Sequence, residues 1–329
     1  MTSFKPKDDF RFYMYWIIQR QKIFWKRYRI EDPPYTIDPI FQYFKFTNVY
    51  RVLDRSSQYL LRNVIYNGQA YTKEDMFWRI LLYKHFNLPS TWEYLCESLG
   101  DITLDTPVTD IIRCLKDYRS TKHPIYSNAY MLTASFMKNA NIKQKYHIPD
   151  VPDKHEAYMR LFQYNLFENG FYLDIMHAHT FKEAFDLIRT IPTVGDFLAY
   201  QYVQDWNYST IFDFDNNEFC AAGFGTIRGI ERTFDIVGKP DYGEIVKWVY
   251  NNFKFLLKDY NIFGRFGSID GWLPQVPDLS NCFCETDKYM RARMIPTDKV
   301  IKGTRIKNTF KPNTIPINYI FPPKWNIKL

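Results

Sequence analysis

The chain has 329 residues, 46% of them hydrophobic and 19% aromatic, which is enough apolar material for one large domain or two small ones and too much for a disordered segment. The net charge of +7 is unevenly spread: residues 1–30 hold eight Lys or Arg against two Asp, residues 288–329 hold ten against one Asp, and the middle is net acidic. Basic ends on an acidic body suit a phosphate-rich partner, and equally a solvated surface, while the lack of any apolar run near the ~18 residues of a membrane span excludes a helical membrane protein.

In chain order, Phe10 to Arg29 reads as an aromatic, basic helix stopped by Asp32-Pro33-Pro34. A second helical stretch is expected from Pro39 to Ile65, with Phe41, Phe44, Val52, Leu53, Leu60 and Leu61 at mixed three- and four-residue spacing, ended by Asn67-Gly68. Thr72-Lys73-Glu74-Asp75 resembles a helix start. Further helices are expected over Trp92–Leu99, Val108–Tyr118, Tyr126–Lys138, His155–Phe167, Phe181–Arg189 and Asp196–Asp205. Tyr208 to Phe219 reads as irregular and acidic. Two more helices cover Tyr242–Tyr260 and Asp278–Arg293. Strand signals are sparse, so the fold class is mainly α. The expected organisation is a helical domain over residues 1–295 and a basic extended tail over 296–329, which suits either an arm lying on DNA or a segment wrapping the body.

The cysteines, Cys96, Cys114, Cys220, Cys282 and Cys284, are odd in number and scattered, without a four-Cys cluster of zinc or iron–sulfur type. With a charged N-terminus lacking a signal-peptide core, they lead to the expectation of a soluble, reducing, cytoplasmic setting. His177-Ala178-His179 has no third ligand near it, so neither a metal nor another cofactor is expected. No Gly-x4-Gly-Lys-Ser/Thr loop occurs, which excludes a P-loop kinase from this stretch.

The most informative segment is Ile191-Pro192-Thr193-Val194-Gly195-Asp196-Phe197-Leu198-Ala199. It reads as the hairpin, over residues 188–201, of a helix-hairpin-helix element, with Gly195 supplying the backbone freedom of a tight inter-helix turn. The start of the second helix leaves unpaired N–H groups and a positive dipole end that can grip a phosphate without reading bases. Thr193, Gly195 and Phe197 are therefore candidate DNA contacts. The same pattern fits an ordinary bend in a core.

Three constellations could carry chemistry. In Phe46-Thr47-Asn48-Val49-Tyr50-Arg51-Val52-Leu53-Asp54-Arg55, a helix would put Thr47, Arg51, Asp54 and Arg55 on one face with Asn48 beside Arg51. Such a polar row is either a structural salt-bridge network or a wall that holds an anionic ligand on the Arg51 fork. In Gly223-Phe224-Gly225-Thr226-Ile227-Arg228-Gly229, the glycines permit close backbone approach and Arg228 can neutralise a phosphate, although a plain turn fits the spacing too. In Cys284-Glu285-Thr286-Asp287-Lys288-Tyr289-Met290-Arg291, Glu285, Lys288 and Tyr289 share a helix face. An exposed ion pair explains that spacing, and so does a general base beside a cation for a leaving phosphate.

These motifs and the hairpin occur in a familiar order. With Phe46-Thr47-Asn48-Val49-Tyr50-Arg51 and Asp54, then Gly195-Asp196-Phe197-Leu198-Ala199-Tyr200-Gln201, then Ala222-Gly223-Phe224-Gly225 with Arg228-Gly229-Ile230, and finally Cys284-Glu285 with Lys288-Tyr289 and Arg291, the chain resembles the α-glutamyl/putrescinyl thymine pyrophosphorylase family. These amino acid:DNA transferases are related to the helical domain of 5-hydroxymethyl-deoxyuridine DNA kinases. The resemblance covers about residues 10 to 293. Phe224 departs from it, standing where the family pattern has Pro between the glycines.

The resemblance implies an all-α architecture like that of helix-hairpin-helix DNA glycosylases. In those enzymes an Asp in a Val-Asp-Thr-x-Val-x-Arg segment drives chemistry at the sugar; Gly223 stands at that place here and the hairpin lacks a lysine nucleophile, so base excision is disfavoured. The implied activity is hypermodification of thymine-type bases in double-stranded DNA, where a separate kinase activates 5-hydroxymethyluracil and this family replaces the (pyro)phosphate with an amino acid or polyamine amine. Asp54, Arg51, Arg228, Glu285 and Lys288 are then the expected catalytic residues. Asn48, Tyr50, Tyr289 and Arg291 are the expected substrate contacts, and Gly223 and Gly225 join the hairpin as DNA contacts. The roles require Arg51 and Arg228 to converge on one cleft. A phage-infected bacterial cell suits the family. A DNA glycosylase or lyase, and a non-catalytic DNA-binding partner of a DNA-base kinase, are the alternatives.

Overall fold

Between Phe10 and Phe24, apolar residues recur three and four apart, and that stripe becomes the buried face of the first long helix, with Phe10, Tyr13, Met14, Trp16, Ile17, Ile18 and Phe24 all inside. The computed structural model describes residues 3–128, 132, 135–294, 306, 310 and 315–329. Its elements in chain order are β1 (Ser3–Pro6), α1 (Phe10–Tyr28), α2 (Pro39–Tyr43), α3 (Arg55–Tyr59), α4 (Lys73–Phe86), α5 (Pro89–Leu99), α6 (Val108–Ser120), α7 (Ala140–Lys145), α8 (Lys154–Phe162), α9 (Phe171–Met176), α10 (Phe181–Arg189), α11 (Asp196–Trp206), α12 (Phe224–Thr233), β2 (Phe234–Val237), α13 (Tyr242–Asp259) and α14 (Val276–Arg293). The chain is mainly helical. Among the described residues its only sheet is the antiparallel pair β1–β2, with Ser3 opposite Val237 and Pro6 opposite Phe234. No described helix is long and apolar enough to cross a membrane.

The chain forms two compact units: residues 1–54 with 216–329, and residues 55–215. In the first, α1 lies on α14, where the Tyr13 and Phe283 rings stack at 4.0 Å and the Tyr13 hydroxyl donates to the Leu279 carbonyl. Helix α12 packs along α14 through two glycines four residues apart. A Cβ on Gly229 would sit 2.6 Å from the Phe283 carbonyl carbon and one on Gly225 3.1 Å from Cys284 Cβ, so only glycine lets the two backbones approach this closely. The described end of the tail, residues 315–329, packs on the same unit: Tyr319 meets Phe24 edge-on, Trp325 stacks on Trp272, and the Lys328 N–H donates to Asp270. That part of the tail wraps the body; residues 295–305, 307–309 and 311–314 lie outside the described residues.

The second unit is built on α4, whose Phe77 ring stacks 4.1 Å from Trp206 of α11 while the Trp206 indole N–H donates to the Phe77 carbonyl. Two turns further along α4, Lys84 forms a buried ion pair with Asp205 at 2.6 Å, which meets the need of each charge for a partner away from water. Helices α10 and α11 pack against each other, with Thr180 capping α10 by accepting from the Glu183 N–H.

Three expectations are corrected. The stretch from Pro39 to Ile65 is not one helix: α2 ends at Tyr43, residues 45–50 are irregular, and a short 3-10 turn spans Arg51–Leu53. The Thr47 and Arg51 N–H groups donate to the Glu285 and Asp278 carboxylates and the Thr47 carbonyl accepts from Arg20, so these backbone groups are taken from the ladder a continuous helix would need. Gly223 to Gly229 is not a turn but the N-cap and first part of α12. In the hairpin, Gly195 has an ordinary φ of −79°, and the left-handed residue is Thr193 at φ +71°. The expected helix over Tyr126–Lys138 falls partly on residues 129–131, 133 and 134, outside the described residues, and Ser135–Lys138 is a 3-10 turn.

Candidate functional site

The segment 46–54 of the first unit is irregular yet firmly held, because several of its polar groups meet side chains of α1 or α14 and others bond within the segment. Asp278 caps α14 by accepting from the Gln275 N–H at 2.9 Å, and its other oxygen accepts the Arg51 N–H at 2.8 Å. One turn along, Asn281 accepts from the Arg51 guanidinium at 3.3 Å and donates to the Thr47 hydroxyl at 2.8 Å. Another turn along, Glu285 accepts the Thr47 N–H at 3.0 Å, with the Lys288 ammonium 3.5 Å away. Lys288 also donates to the Lys45 carbonyl and lies 4.6 Å over the Phe46 ring. From α1, Arg20 donates to the Thr47 carbonyl and the Asn48 side chain, each at 2.7 Å. Asp54 closes the loop by accepting the Asn48 N–H at 2.8 Å.

The electrostatics of this wall are unusual. Burial pushes the Asp54 carboxyl up to about 6, although the Asn48 N–H and the Arg51 and Arg20 guanidiniums pull it down. Burial likewise pushes Asp278 up to about 6 against the N–H groups of Arg51 and Gln275 and the Arg51 charge. Each carboxyl therefore ionises near neutral pH beside a fixed guanidinium, the condition in which a carboxylate serves as a general base.

Of the expected catalytic residues, the structure brings together Asp54, Arg51, Glu285 and Lys288. It does not bring Arg228 to them. Arg51 meets the face of α14 that carries Asp278, Asn281 and Glu285, whereas Arg228 bonds Asp287 at 3.2 Å. At about 100° per residue, Glu285 and Asp287 point roughly 200° apart around the helix. Arg51 and Arg228 therefore lie against opposite faces of α14, and the expected convergence in one cleft is corrected. Arg291 also sits on the Asp287 face, at 3.1 Å from its carboxylate.

Three expected substrate contacts are engaged inside the fold. The Asn48 amide accepts from Arg20 and donates to the Leu53 carbonyl. The Tyr50 hydroxyl donates to the Trp272 carbonyl at 2.6 Å, and the Tyr289 hydroxyl to Asp38 at 2.7 Å, both rings being buried. Their hydrogen-bonding groups hold the wall and are not aimed at a ligand. Gly225 has an internal use as well, since the close approach it permits is to Cys284. Arg20, Asp278 and Asn281 escaped the sequence reading. Asp278 carried a signal in its place three residues after Gln275 at a helix start, a capping pattern.

In the second unit the hairpin presents Gly195 as the N-cap of α11, Asp196 ion-paired with Arg189, and Phe197 partly exposed. Nothing lies within 4 Å of the place a Gly195 Cβ would occupy. Space and φ both tolerate a methyl there, so Gly195→Ala is expected to leave the thermal midpoint within about 2 °C of wild type. If α11 grips a phosphate, the added methyl blocks the approach, and affinity for duplex DNA, read by fluorescence anisotropy, drops several-fold; unchanged affinity removes Gly195 from the DNA contacts.

No group of three or more His, Cys, Asp or Glu among the described residues is placed to hold a metal ion. Residues 7–298 match the family described as the helical domain of 5-hmdU DNA kinase. The chain belongs to that family. It is similar to the 5-hmdU DNA kinase of Bacillus phage SP10, with 24% identity over 338 residues that cover 94% of this chain and 50% of the relative. The chain thus spans about half the length of the curated relative it matches. No solved structure matches it.

Proposed function

We propose that this member of the 5-hmdU DNA kinase helical-domain family acts in the hypermodification of thymine-type bases in phage DNA, and that it displaces the (pyro)phosphate of an activated 5-hydroxymethyluracil with the amine of an amino acid or polyamine. The observation that carries the reading is the Asp54 carboxyl, raised to about 6 between Arg51 and Arg20 on a wall that also holds Glu285 and Lys288. The family membership and the kinase relative support the substrate class. The lack of a phosphate-binding loop in these 329 residues separates the proposed step from the kinase step itself.

In the proposed step the amine nitrogen forms a bond to the 5-methylene carbon as the bond from that carbon to the ester oxygen breaks. The pyrophosphate departs with the electron pair, and the proton shed by the nitrogen passes to Asp54. With Arg228 on the opposite face of α14, Arg51 and Arg20 of the wall, in place of the expected Arg51–Arg228 pair, support the charge that develops on the leaving group. The target base is extruded from the duplex, at a few kcal/mol. We read α10 and α11 as the helix-hairpin-helix element of a glycosylase-like fold, with Thr193, Gly195 and Phe197 against the DNA backbone and Gly223 as a further backbone contact. The partners of the reaction are double-stranded DNA carrying the activated base, the amine co-substrate and a separate DNA-base kinase.

The test is direct. The protein is incubated with DNA bearing pyrophosphorylated hydroxymethyluracil and a panel of amines, the DNA is digested to nucleosides, and these are weighed by mass spectrometry. A nucleoside heavier by the amine supports the transfer. Lost bases would instead assign a glycosylase, and unchanged nucleosides with retained DNA binding a non-catalytic partner of the kinase.

A further inference from the structure

On the face of α14 turned away from Asp54, three arginines surround one carboxylate. Arg232 Nε donates to Asp287 Oδ1 at 2.8 Å, while Arg228 Nε and Arg291 Nε donate to Oδ2 at 3.2 and 3.1 Å. The Asp287 side chain is fully buried, whereas the side chains of Arg228, Arg232 and Arg291 are 55%, 32% and 33% exposed. One negative charge against three positive ones leaves the group at +2. Each guanidinium meets Asp287 through Nε, and among the described residues the terminal Nη atoms of all three make no hydrogen bond. The arrangement uses one buried anion to orient three forks whose side chains remain about one-third to one-half exposed.

The neighbourhood indicates what those forks meet. Arg228 and Arg232 are one turn apart on α12, which is drawn onto α14 by Gly225 and Gly229. One turn before Arg228 stands Phe224, the first residue of α12, 86% exposed. An aromatic ring open to solvent beside a cationic cluster on the same helix is the pairing used to hold a nucleic-acid strand, base on ring and phosphate on guanidinium. We propose that Arg228, Arg232 and Arg291, oriented by Asp287, form a phosphodiester-binding site for a DNA strand, with a base stacked on Phe224. The inference rests on the reading that the protein acts on DNA, but not on the transfer step, and it gives Arg228 and Arg291 a role in holding the strand.

The test uses the full chain and a fluorescently labelled twelve-residue oligothymidylate, with affinity read by anisotropy at several salt concentrations. Arg232→Gln is expected to weaken binding about ten-fold and to lower the salt slope by about 1, the mark of one lost phosphate contact. Phe224→Ala, outside the ion cluster and exposed, is expected to weaken binding roughly ten-fold with the salt slope unchanged. Lys5→Gln on β1 serves as the control for bulk charge. Wild-type affinity in both Arg232→Gln and Phe224→Ala overturns the proposal, as does a loss no larger than that of Lys5→Gln. Inorganic pyrophosphate is titrated in parallel: if it binds at the arginines and the oligonucleotide does not, the assignment to a strand is overturned. Should both variants bind DNA like wild type while the wild-type protein still forms the amine adduct, the strand site fails and the transfer reading survives; a strand site without any adduct is the converse.

Discussion

Asp54→Asn is expected to cut turnover by roughly two to four orders of magnitude while leaving the fold intact or firmer at pH 7.5. The amide keeps an acceptor for the Asn48 N–H and removes the charge. In the folded protein the Asp54 carboxyl is raised from its ordinary 3.8 to about 6. A carboxyl raised by folding contributes stability that is complete below about 3.8 and is lost as pH rises through about 6, so the ionised form is a burden at neutral pH. The shift corresponds to on the order of 3 kcal/mol at most, a net figure in which the attraction of Arg51 and Arg20 is already counted. Urea unfolding at pH 5 and pH 8 reads the stability, and the nucleoside adduct reads the rate. Wild-type activity should fall as pH drops below about 6, when the base becomes protonated, and the variant should be slow with that limb removed. Wild-type turnover in Asp54→Asn would sink its role as the base.

Gly229→Ala is expected to have the largest effect on stability. The new Cβ would overlap backbone atoms of Phe283, and a backbone within a long helix cannot rotate away as a side chain can. Separating α12 from α14 also pulls Arg228 and Arg232 off Asp287, leaving a fully buried carboxylate with fewer partners. A loss of about 3 kcal/mol or more follows, a drop of roughly 10 °C in the melting midpoint for a unit of this size. Gly225→Ala meets chiefly the Cys284 side chain and should cost about 1 kcal/mol. Thermal unfolding followed by circular dichroism separates the two, and equal midpoints for Gly229→Ala and wild type would mean that the helices are not pressed together here.

Helices with an apolar stripe were legible residue by residue. Phe181–Arg189 matches α10, Tyr242 opens α13, and Asp196 opens α11 after Gly195. The failures lie where polar residues sit among apolar ones. Thr47, Asn48 and Asp54 suggested a helix face because the surrounding Phe, Val and Leu keep a three- and four-residue rhythm, but Thr47 and Asn48 bond α1 and α14 and Asp54 accepts from the Asn48 N–H, which local spacing cannot anticipate. Arg232 was missed although it lies one helical turn after Arg228, an interval that the sequence does display. Gly225 and Gly229 were visible as glycines, yet their use in helix contact depends on a partner 54 or more residues away.

The amino-acid sequence alone determined that this protein is mainly helical, that its ends are basic, and which residues share a face of α14, because helical periodicity and charge are local properties. Only the tertiary structure decided that Arg51 and Arg228 meet opposite faces of that helix and that Asp54 is raised toward neutrality. Burial and hydrogen-bond partnership depend on which distant segments cover a side chain, and spacing along a chain carries no record of that.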